Sequence, residues 1–245
     1  MSSEKEIRIA APSPLVLASY FNYKADPQRK IKWDEDYSKL FPLINSVIKK
    51  GIKIIVFHNC FQDVPNIENC SWVKVTPNMS FTPNVYRYFV YLDFLKQNQS
   101  TVSSVFMVDS TDVGMLKNPF NKIKNNILYV GDERSKKVGL SWMEKNQGRH
   151  LTIPDYKHII DNNKDRILIN CGIIGGEMSI ILKFLEQLTF YHLTYSKDLK
   201  TSSDMAIFNY TIWKHFSKIV NHGSHVNTRF KKYETNNNIS WWKHK

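Results

Sequence analysis

Two carboxylates three positions apart follow an apolar, β-branched run in the stretch SSVFMVDSTDVGMLKNPF, residues 103–120. They belong to Asp109 and Asp112. Neighbouring carboxylates repel each other unless a cation or firm hydrogen bonds offset their charge. Mg²⁺ and Mn²⁺ are often held by one or two carboxylates together with substrate phosphates. Either residue could also cap the turn before Asn118-Pro119. The spacing alone therefore leaves a metal site and a turn cap open.

Two further positions carry residues whose placement favours ligand contact. Asp204 opens a predicted helix, where it can interact with the helix dipole, contact a ligand, or do both. Arg87 lies within the apolar stretch VYRYFVYLDFL, and a cation on such a helix is costly unless it is paired or contacts a ligand. We expect Asp109 or a ligand phosphate to be its partner, with exposure to solvent as the alternative.

The stretch NCGIIGG places three glycines at the end of a predicted strand: Gly172, Gly175 and Gly176. Glycines there allow the backbone to approach a ligand closely or to adopt positive φ. An ordinary tight turn is the alternative interpretation.

Strand-like and helix-like segments alternate along the chain, and this pattern predicts an α/β fold with a mostly parallel sheet. Apolar runs predict strands at 14–21, 52–61, 72–77, 103–109, 127–133 and 166–176, and periodic segments predict helices at 36–51, 83–99, 179–195 and 202–216. Ligands bind at the carboxyl ends of parallel strands. We expect the following residues to gather at that edge: Asn22, His58, Asn59, Asp109, Asp112 and residues 172–176.

Composition restricts the class of protein. The chain has 245 residues, is 42% hydrophobic and carries a net charge of +12, which favours anionic partners. The basic residues form only short clusters, such as Lys136-Lys137 and Lys231-Lys232, so a basic surface or a nucleotide-type ligand is favoured over nucleic acid. Three cysteines do not form a disulfide framework. With no apolar stretch typical of a signal peptide or a transmembrane helix, we expect a soluble, cytoplasmic protein.

The acidic stretch resembles the metal motif of GT-A glycosyltransferases, which use nucleotide-sugar donors. The usual motif is Asp-x-Asp, whereas this chain has Asp109-x-x-Asp112, followed by Asn118-Pro119-Phe120 as in several branches of that superfamily. The wider spacing leaves open which carboxylate contacts the metal and which acts through water or the donor ribose. We expect Asp112 to make the direct contact.

Other stretches resemble the same family in the expected order along the chain. They are LASYFNYKADPQRK (17–30), NCGIIGG (170–176), SSDMAIFNY (202–210, with Met205 in place of the usual Gln), NTRFKKYE (227–234) and the final His244-Lys245. These stretches resemble in particular the small enzymes with which large DNA viruses of the chlorella-virus type glycosylate capsid proteins.

The resemblance implies a GT-A (Rossmann-like) fold, a single domain over residues 1–245 with a central, mostly parallel, twisted sheet flanked by helices. It could also be one domain of a longer protein. The implied activity is metal-dependent transfer of a hexose or deoxyhexose from a nucleotide-diphosphate sugar, with UDP-sugar expected, to a hydroxyl of a glycan or glycoprotein. The implied cofactor is Mn²⁺ or Mg²⁺. No nucleic-acid partner is expected, and the oligomeric state stays open.

The same resemblance assigns roles to residues. Asp109, Asp112 and His244 would hold the metal, with His225 as an alternative histidine, and Asp112 and Asp204 would act in catalysis. Donor contacts are expected from Ser19, Tyr20, Asn22, Arg29, Asn59, Arg87, Asp109, Gly172, Gly175, Gly176 and Lys231. An inverting enzyme needs a carboxylate base. Asp204, Asp155 and Glu177 are candidates of which none stands out, so retention is favoured.

Two rival functions stay open. A metal-dependent phosphohydrolase or nuclease would also use clustered carboxylates and a basic surface. A two-metal nuclease needs further ligands at strand ends, and only Asp132-Glu133 is available. The other rival is a nucleotide-sugar or carbohydrate-binding module without catalysis.

Overall fold

A computed structural model describes residues 12–26, 30–146, 148, 151–195, 204–232, 234 and 238–245. Within these residues the chain forms a central seven-stranded sheet and a separate two-stranded sheet. The strands are β1 (Ser13–Tyr20), β2 (Lys53–His58), β3 (Cys70–Lys74), β4 (Val102–Asp109), β5 (Val113–Met115), β6 (Leu128–Lys137), β7 (Ile167–Glu177), β8 (Val220–Asn221) and β9 (Trp242–His244).

The central sheet has the strand order β3-β2-β1-β4-β7-β6-β8. Neighbouring strands are parallel except where β7 pairs with β4 and with β6. All strands of this sheet other than β7 therefore run in one direction. This arrangement, with helices flanking the sheet, confirms the predicted α/β class and the mostly parallel sheet.

The reversed direction of β7 corrects one sequence-based expectation. Because this strand runs antiparallel to β4, its beginning and not its end lies at the carboxyl edge of the sheet. In the register of the pair, Gly175 lies opposite Phe106 and Gly176 opposite Val105, several residues before β4 ends at Asp109. Gly175 and Gly176 are therefore inside the sheet.

The helices that the structure describes are α1 (Phe41–Ile48), α2 (Pro83–Gln97), α3 (Ser141–Asn146), α4 (Tyr156–Asn162), α5 (Met178–Tyr195) and α6 (Asp204–Thr211). Of these, α1, α2, α5 and α6 correspond to the predicted segments. A 3-10 turn at Tyr37–Leu40 precedes α1, and a π-helical turn at Ile212–Phe216 continues α6. The short elements α3, α4, β5, β8 and β9 were not predicted. Among the described helices, none has both the length and the apolar character needed to cross a bilayer.

Alternating side chains of β1 enter two different cores. Leu15 and Leu17 pack on one face of the sheet with residues of α2, α5 and α6. Val16 and Ala18 pack on the other face with α1 and with Trp241 and Trp242, at the start of β9. Successive side chains of a strand point to opposite faces, so a strand buried on both sides reads as a continuous apolar run. Two covered faces leave the carboxyl edge of the sheet as the place where a cavity can open.

Candidate active site

A cavity of about 650 Å³ opens at the carboxyl ends of β1, β4 and β6. The beginning of β7, the beginning of α6 and the C-terminal strand β9 complete its wall. Most residues predicted for the site line this cavity: Ser19, Tyr20, Arg87, Asp109, Asp112, Gly172, Asp204, Lys231 and His244. The sequence predicted a ligand site at the carboxyl edge of the sheet, and this edge has a concave, polar surface.

Two carboxylates and one imidazole converge at the centre of this wall. Asp109, Asp112 and His244 each offer one ligand atom, and these atoms lie within 4.8 Å of one another. Asp109 ends β4, and Asp112 directly precedes β5. The antiparallel pairing of β5 with β9 sets Val113 opposite His244, which brings the imidazole next to the second carboxylate. The main-chain N–H of Lys245 donates to the carbonyl of Asp112 at 2.9 Å and secures this register.

The chemistry of the three side chains fits a divalent cation. Burial lowers the pKa of His244 to about 4, so its imidazole is neutral at physiological pH and can donate a lone pair. Its Nδ1 is buried and has no hydrogen-bond partner among the described residues. Carboxylate oxygens suit Mg²⁺ and Mn²⁺, and an imidazole is acceptable to Mn²⁺. We conclude that this cluster is a candidate metal centre.

Gly172 lets the backbone of β7 approach the cluster more closely than a residue with a side chain could. A Cβ atom at this position would lie 2.6 Å from Cε1 of His244 and 2.8 Å from Oδ2 of Asp109. A Cβ atom essentially never approaches another heavy atom to within 3.0 Å, so a neighbour would have to move. Of the three glycines predicted to approach a ligand, Gly172 is the one that lines the cavity.

Arg87 links the metal cluster to α6. Its guanidinium forms an ion pair with Asp109 and lies 3.9 Å from Oδ2 of Asp204. It also donates to the carbonyl of Cys171 at 3.3 Å and to the hydroxyl of Tyr88 at 3.1 Å. Burial alone would lower the pKa of Arg87, but Tyr88 and the two carboxylates raise it well above its ordinary value. The predicted partner Asp109 is therefore observed, and the arginine holds both carboxylates in place.

Three polar side chains line the wall on the β6 side: Glu133, Lys136 and Asn170. The sequence analysis did not assign them to the site. Asn170 donates to Oε1 of Glu133 at 2.9 Å and accepts a hydrogen bond from the main-chain N–H of Gly172 at 2.7 Å. Lys136 forms an ion pair with Oε2 of Glu133 at 2.6 Å. The acidic pair Asp132-Glu133 at the end of an apolar predicted strand could have indicated this part of the site. The sequence analysis considered the pair only as possible metal ligands of a nuclease.

The side chains of Asn22 and Asn59 do not line the cavity but bond to each other. The main-chain N–H of Asn22 donates to Oδ1 of Asn59 at 2.9 Å, and Nδ2 of Asn59 donates to Oδ1 of Asn22 at 3.0 Å. His58 is also outside the lining, and its Nδ1 accepts from the N–H of Phe61 at 3.3 Å. The two bonds between Asn22 and Asn59 join the ends of β1 and β2.

Gly175 and Gly176 serve packing. A Cβ atom on Gly175 would lie 2.2 Å from the ring of Phe106, and one on Gly176 would lie 2.8 Å from the carbonyl oxygen of Ile127. Neither glycine lines the cavity. The predicted donor contact Arg29 lies outside the described residues.

Three alternative residues considered from the sequence are engaged elsewhere. Asp155 forms an ion pair with Lys214 at 2.8 Å, and Glu177 accepts from the main-chain N–H of Asn126 at 3.3 Å. The ring of His225 packs edge-on against Trp241 at a centroid distance of 5.2 Å. Among these candidate bases and histidines, only Asp204 and His244 line the cavity.

Family models and curated protein sequences supply no relative from which residue roles could be transferred. No family model matches the chain, and no curated protein matches it in sequence. The roles of the cavity residues therefore rest on their own positions and contacts.

Proposed function

We propose that this chain is a metal-dependent glycosyltransferase of the GT-A type. It would transfer a monosaccharide from a nucleotide-diphosphate sugar, with a UDP-sugar as the expected donor, to a hydroxyl of a glycan or glycoprotein. One observation carries the proposal: Asp109, Asp112 and His244 present ligand atoms within 4.8 Å of one another, inside a cavity of about 650 Å³. Such a cavity at the carboxyl edge of a mostly parallel sheet is where ligands bind in α/β folds.

The metal proposed for this cluster is Mn²⁺ or Mg²⁺. When bound, such an ion supplies a Lewis acid that stabilises the negative charge of a departing diphosphate. Lys231 lines the same cavity and would add a positive charge for the diphosphate. Arg87 has a different role, because its ion pair with Asp109 orients that carboxylate toward the cluster.

The nucleotide would lie at the β1 end, where the partly exposed Trp33 lines the cavity. Tyr20 supports this side: its ring is 3% exposed and stacks on Phe61, and its hydroxyl donates to the carbonyl of Asp34 at 3.0 Å. An exposed indole face can bind a base by stacking. The transferred sugar would then lie near Gly172 and the buried Asp204, which both line the cavity.

Retention of configuration stays a prediction, and the contacts of the remaining carboxylates are compatible with it. Asp204 has Arg87 at 3.9 Å, and Glu133 has Lys136 at 2.6 Å. Each of these carboxylates therefore already has a cationic partner, and an acceptor hydroxyl would have to compete with that partner for the carboxylate oxygens.

The substitution Asp112→Asn tests the proposal. We expect wild-type protein to hydrolyse one or more UDP-sugars slowly in the presence of Mn²⁺, and the variant to lose at least about a hundredfold of that activity because a metal ligand is removed. Asp161→Asn is the matched control, because it makes the same change at an exposed position outside the cavity lining. Unchanged turnover in Asp112→Asn would remove the metal assignment.

A thermal-shift series separates the rival functions. We expect nucleotide sugars to raise the melting temperature only when Mn²⁺ is present, since binding to the folded state stabilises it. A shift without turnover would indicate a binding module. No shift with nucleotide sugars, together with metal-dependent hydrolysis of phosphate esters, would indicate a phosphohydrolase.

A further inference from the structure

The cavity has a second aromatic end that the donor does not require. Tyr20 and Trp33 lie at the β1 end, whereas Trp142 lies on α3, which follows β6. In the order β1-β4-β7-β6 these two ends are separated by three strand spacings, or roughly 14 Å at about 4.8 Å each. The candidate metal centre at the end of β4 lies between them. A cavity of this width has room for two ligands that meet at its centre.

The wall at the β6 end combines an apolar platform with polar groups that are fixed in place. Trp142 is 38% exposed although it belongs to the cavity lining, and Leu140 lies beside it in sequence and in the same wall. Glu133 is 7% exposed, and its carboxylate is oriented by Asn170 and Lys136. These three polar side chains can accept hydrogen bonds from ligand hydroxyls and donate to them.

This combination suits a pyranose ring better than a peptide. A pyranose has an apolar face of C–H groups, which packs on an indole, and a rim of hydroxyls, which pair with carboxylate, amide and ammonium groups. A serine or threonine acceptor offers one hydroxyl and no ring for the indole to cover. The chemistry of the wall therefore distinguishes between the two acceptor classes that the proposed function allows.

We propose that Glu133, Lys136, Leu140, Trp142 and Asn170 form the acceptor subsite, and that the acceptor is a pyranose hydroxyl of a glycan. The inference rests on the proposed function and specifies its substrate class. In the transfer, the acceptor oxygen forms a bond to the anomeric carbon, and the bond between that carbon and the diphosphate oxygen breaks. The diphosphate keeps the electron pair and takes up the proton of the acceptor hydroxyl.

The test measures the ratio of sugar transfer to donor hydrolysis with Mn²⁺ and a panel of UDP-sugars. Methyl pyranosides and serine- or threonine-containing peptides serve as the two acceptor panels. We expect transfer to pyranosides, a ratio at least tenfold lower in Trp142→Ala, and a ratio closer to wild type in Trp142→Phe because a stacking ring is kept. Phe190→Ala is the control, since this aromatic is 51% exposed on α5 and lies outside the cavity lining.

The outcomes separate this inference from the proposed function. Absence of Mn²⁺-dependent donor hydrolysis in wild-type protein would overturn both. Hydrolysis with transfer to peptides alone, or with no pyranoside accepted, would overturn the acceptor subsite and leave the donor chemistry standing. An unchanged ratio of transfer to hydrolysis in folded Trp142→Ala would also overturn the acceptor subsite and leave the donor chemistry standing.

Discussion

Replacing Gly172 with alanine places a single methyl group at the candidate metal centre. The new Cβ atom would lie 2.6 Å from Cε1 of His244 and 2.8 Å from Oδ2 of Asp109. The main chain of His244 is restrained, because β9 is paired with β5 and the N–H of His244 donates to Oγ1 of Thr228 at 3.0 Å. The substitution therefore acts on two of the three proposed ligands without changing either of them.

The expected magnitude follows from these distances. Ordinary contact begins near 3.4 Å, so the imidazole has to move by roughly 0.8 Å, the difference from the 2.6 Å contact. Metal–ligand distances tolerate about 0.2 Å. Disturbing the support of a ligand typically weakens metal binding by about 10- to 100-fold, which corresponds to about 1.4–2.8 kcal/mol.

Thermal unfolding with Mn²⁺ measures this loss. At a Mn²⁺ concentration 100 times the wild-type Kd, the wild type gains about 2.7 kcal/mol, and a variant that binds a hundredfold more weakly gains about 0.4 kcal/mol. For a chain of this size, these gains correspond to melting-temperature rises of roughly 5–11 °C and about 1 °C.

Gly131→Ala is the matched control for this experiment. Gly131 lies on the neighbouring strand β6, where a Cβ atom would lie 3.3 Å from Cβ of Ile173. A tight core contact of this kind should lower the melting temperature without Mn²⁺ and leave the Mn²⁺-dependent rise intact. If Gly172→Ala shows the same rise with Mn²⁺ as the wild type, the reasoning about the cluster is refuted.

Two further substitutions test the groups behind the cavity. Arg87→Met leaves two carboxylates without their shared cation, and we expect a loss near the lower end of about 3–5 kcal/mol in urea unfolding at pH 7; a loss below 1 kcal/mol would contradict this. Burial lowers the pKa of His192 from 6.5 to about 3. Below pH 6.5 the unfolded chain therefore binds a proton that the folded chain does not, and the free energy of unfolding decreases as the pH falls. The decrease is up to about 1.4 kcal/mol per pH unit. His192→Phe should flatten this dependence between pH 6.5 and 5, and equal slopes in the two proteins would count against it.

The sequence predicted those parts of the fold that depend on local pattern. β1 was recognisable because a central strand buried on both faces is a continuous apolar run. The helix that contains Arg87 was recognisable from its apolar pattern and from Pro83 in its first turn. The proximity of Asp109 and Asp112 was predictable, because one ends a strand and the other lies in the turn that follows it. This proximity does not depend on which strands pair with β4.

Other features depend on strand direction and register, which local pattern does not encode. The apolar run of β7 reads the same in either direction, so Gly175 and Gly176 were predicted at the ligand edge and lie inside the sheet. Asn22 and Asn59 each follow a strand, but whether two amides face a ligand or each other depends on the register of β1 and β2. The contribution of Trp142 required α3, which is too short for a periodic signal.

The pairing of β5 with β9 also has a consequence for biosynthesis. Val113 and His244 are neighbours in space but are added to the chain at very different times. A growing chain can carry both carboxylates well before it carries the imidazole. The imidazole, the third proposed ligand, can join them only after residue 244 has left the ribosome and β9 has paired with β5. Pairing across such a sequence separation is slow. Tight metal uptake would therefore mark a late stage in the maturation of this protein.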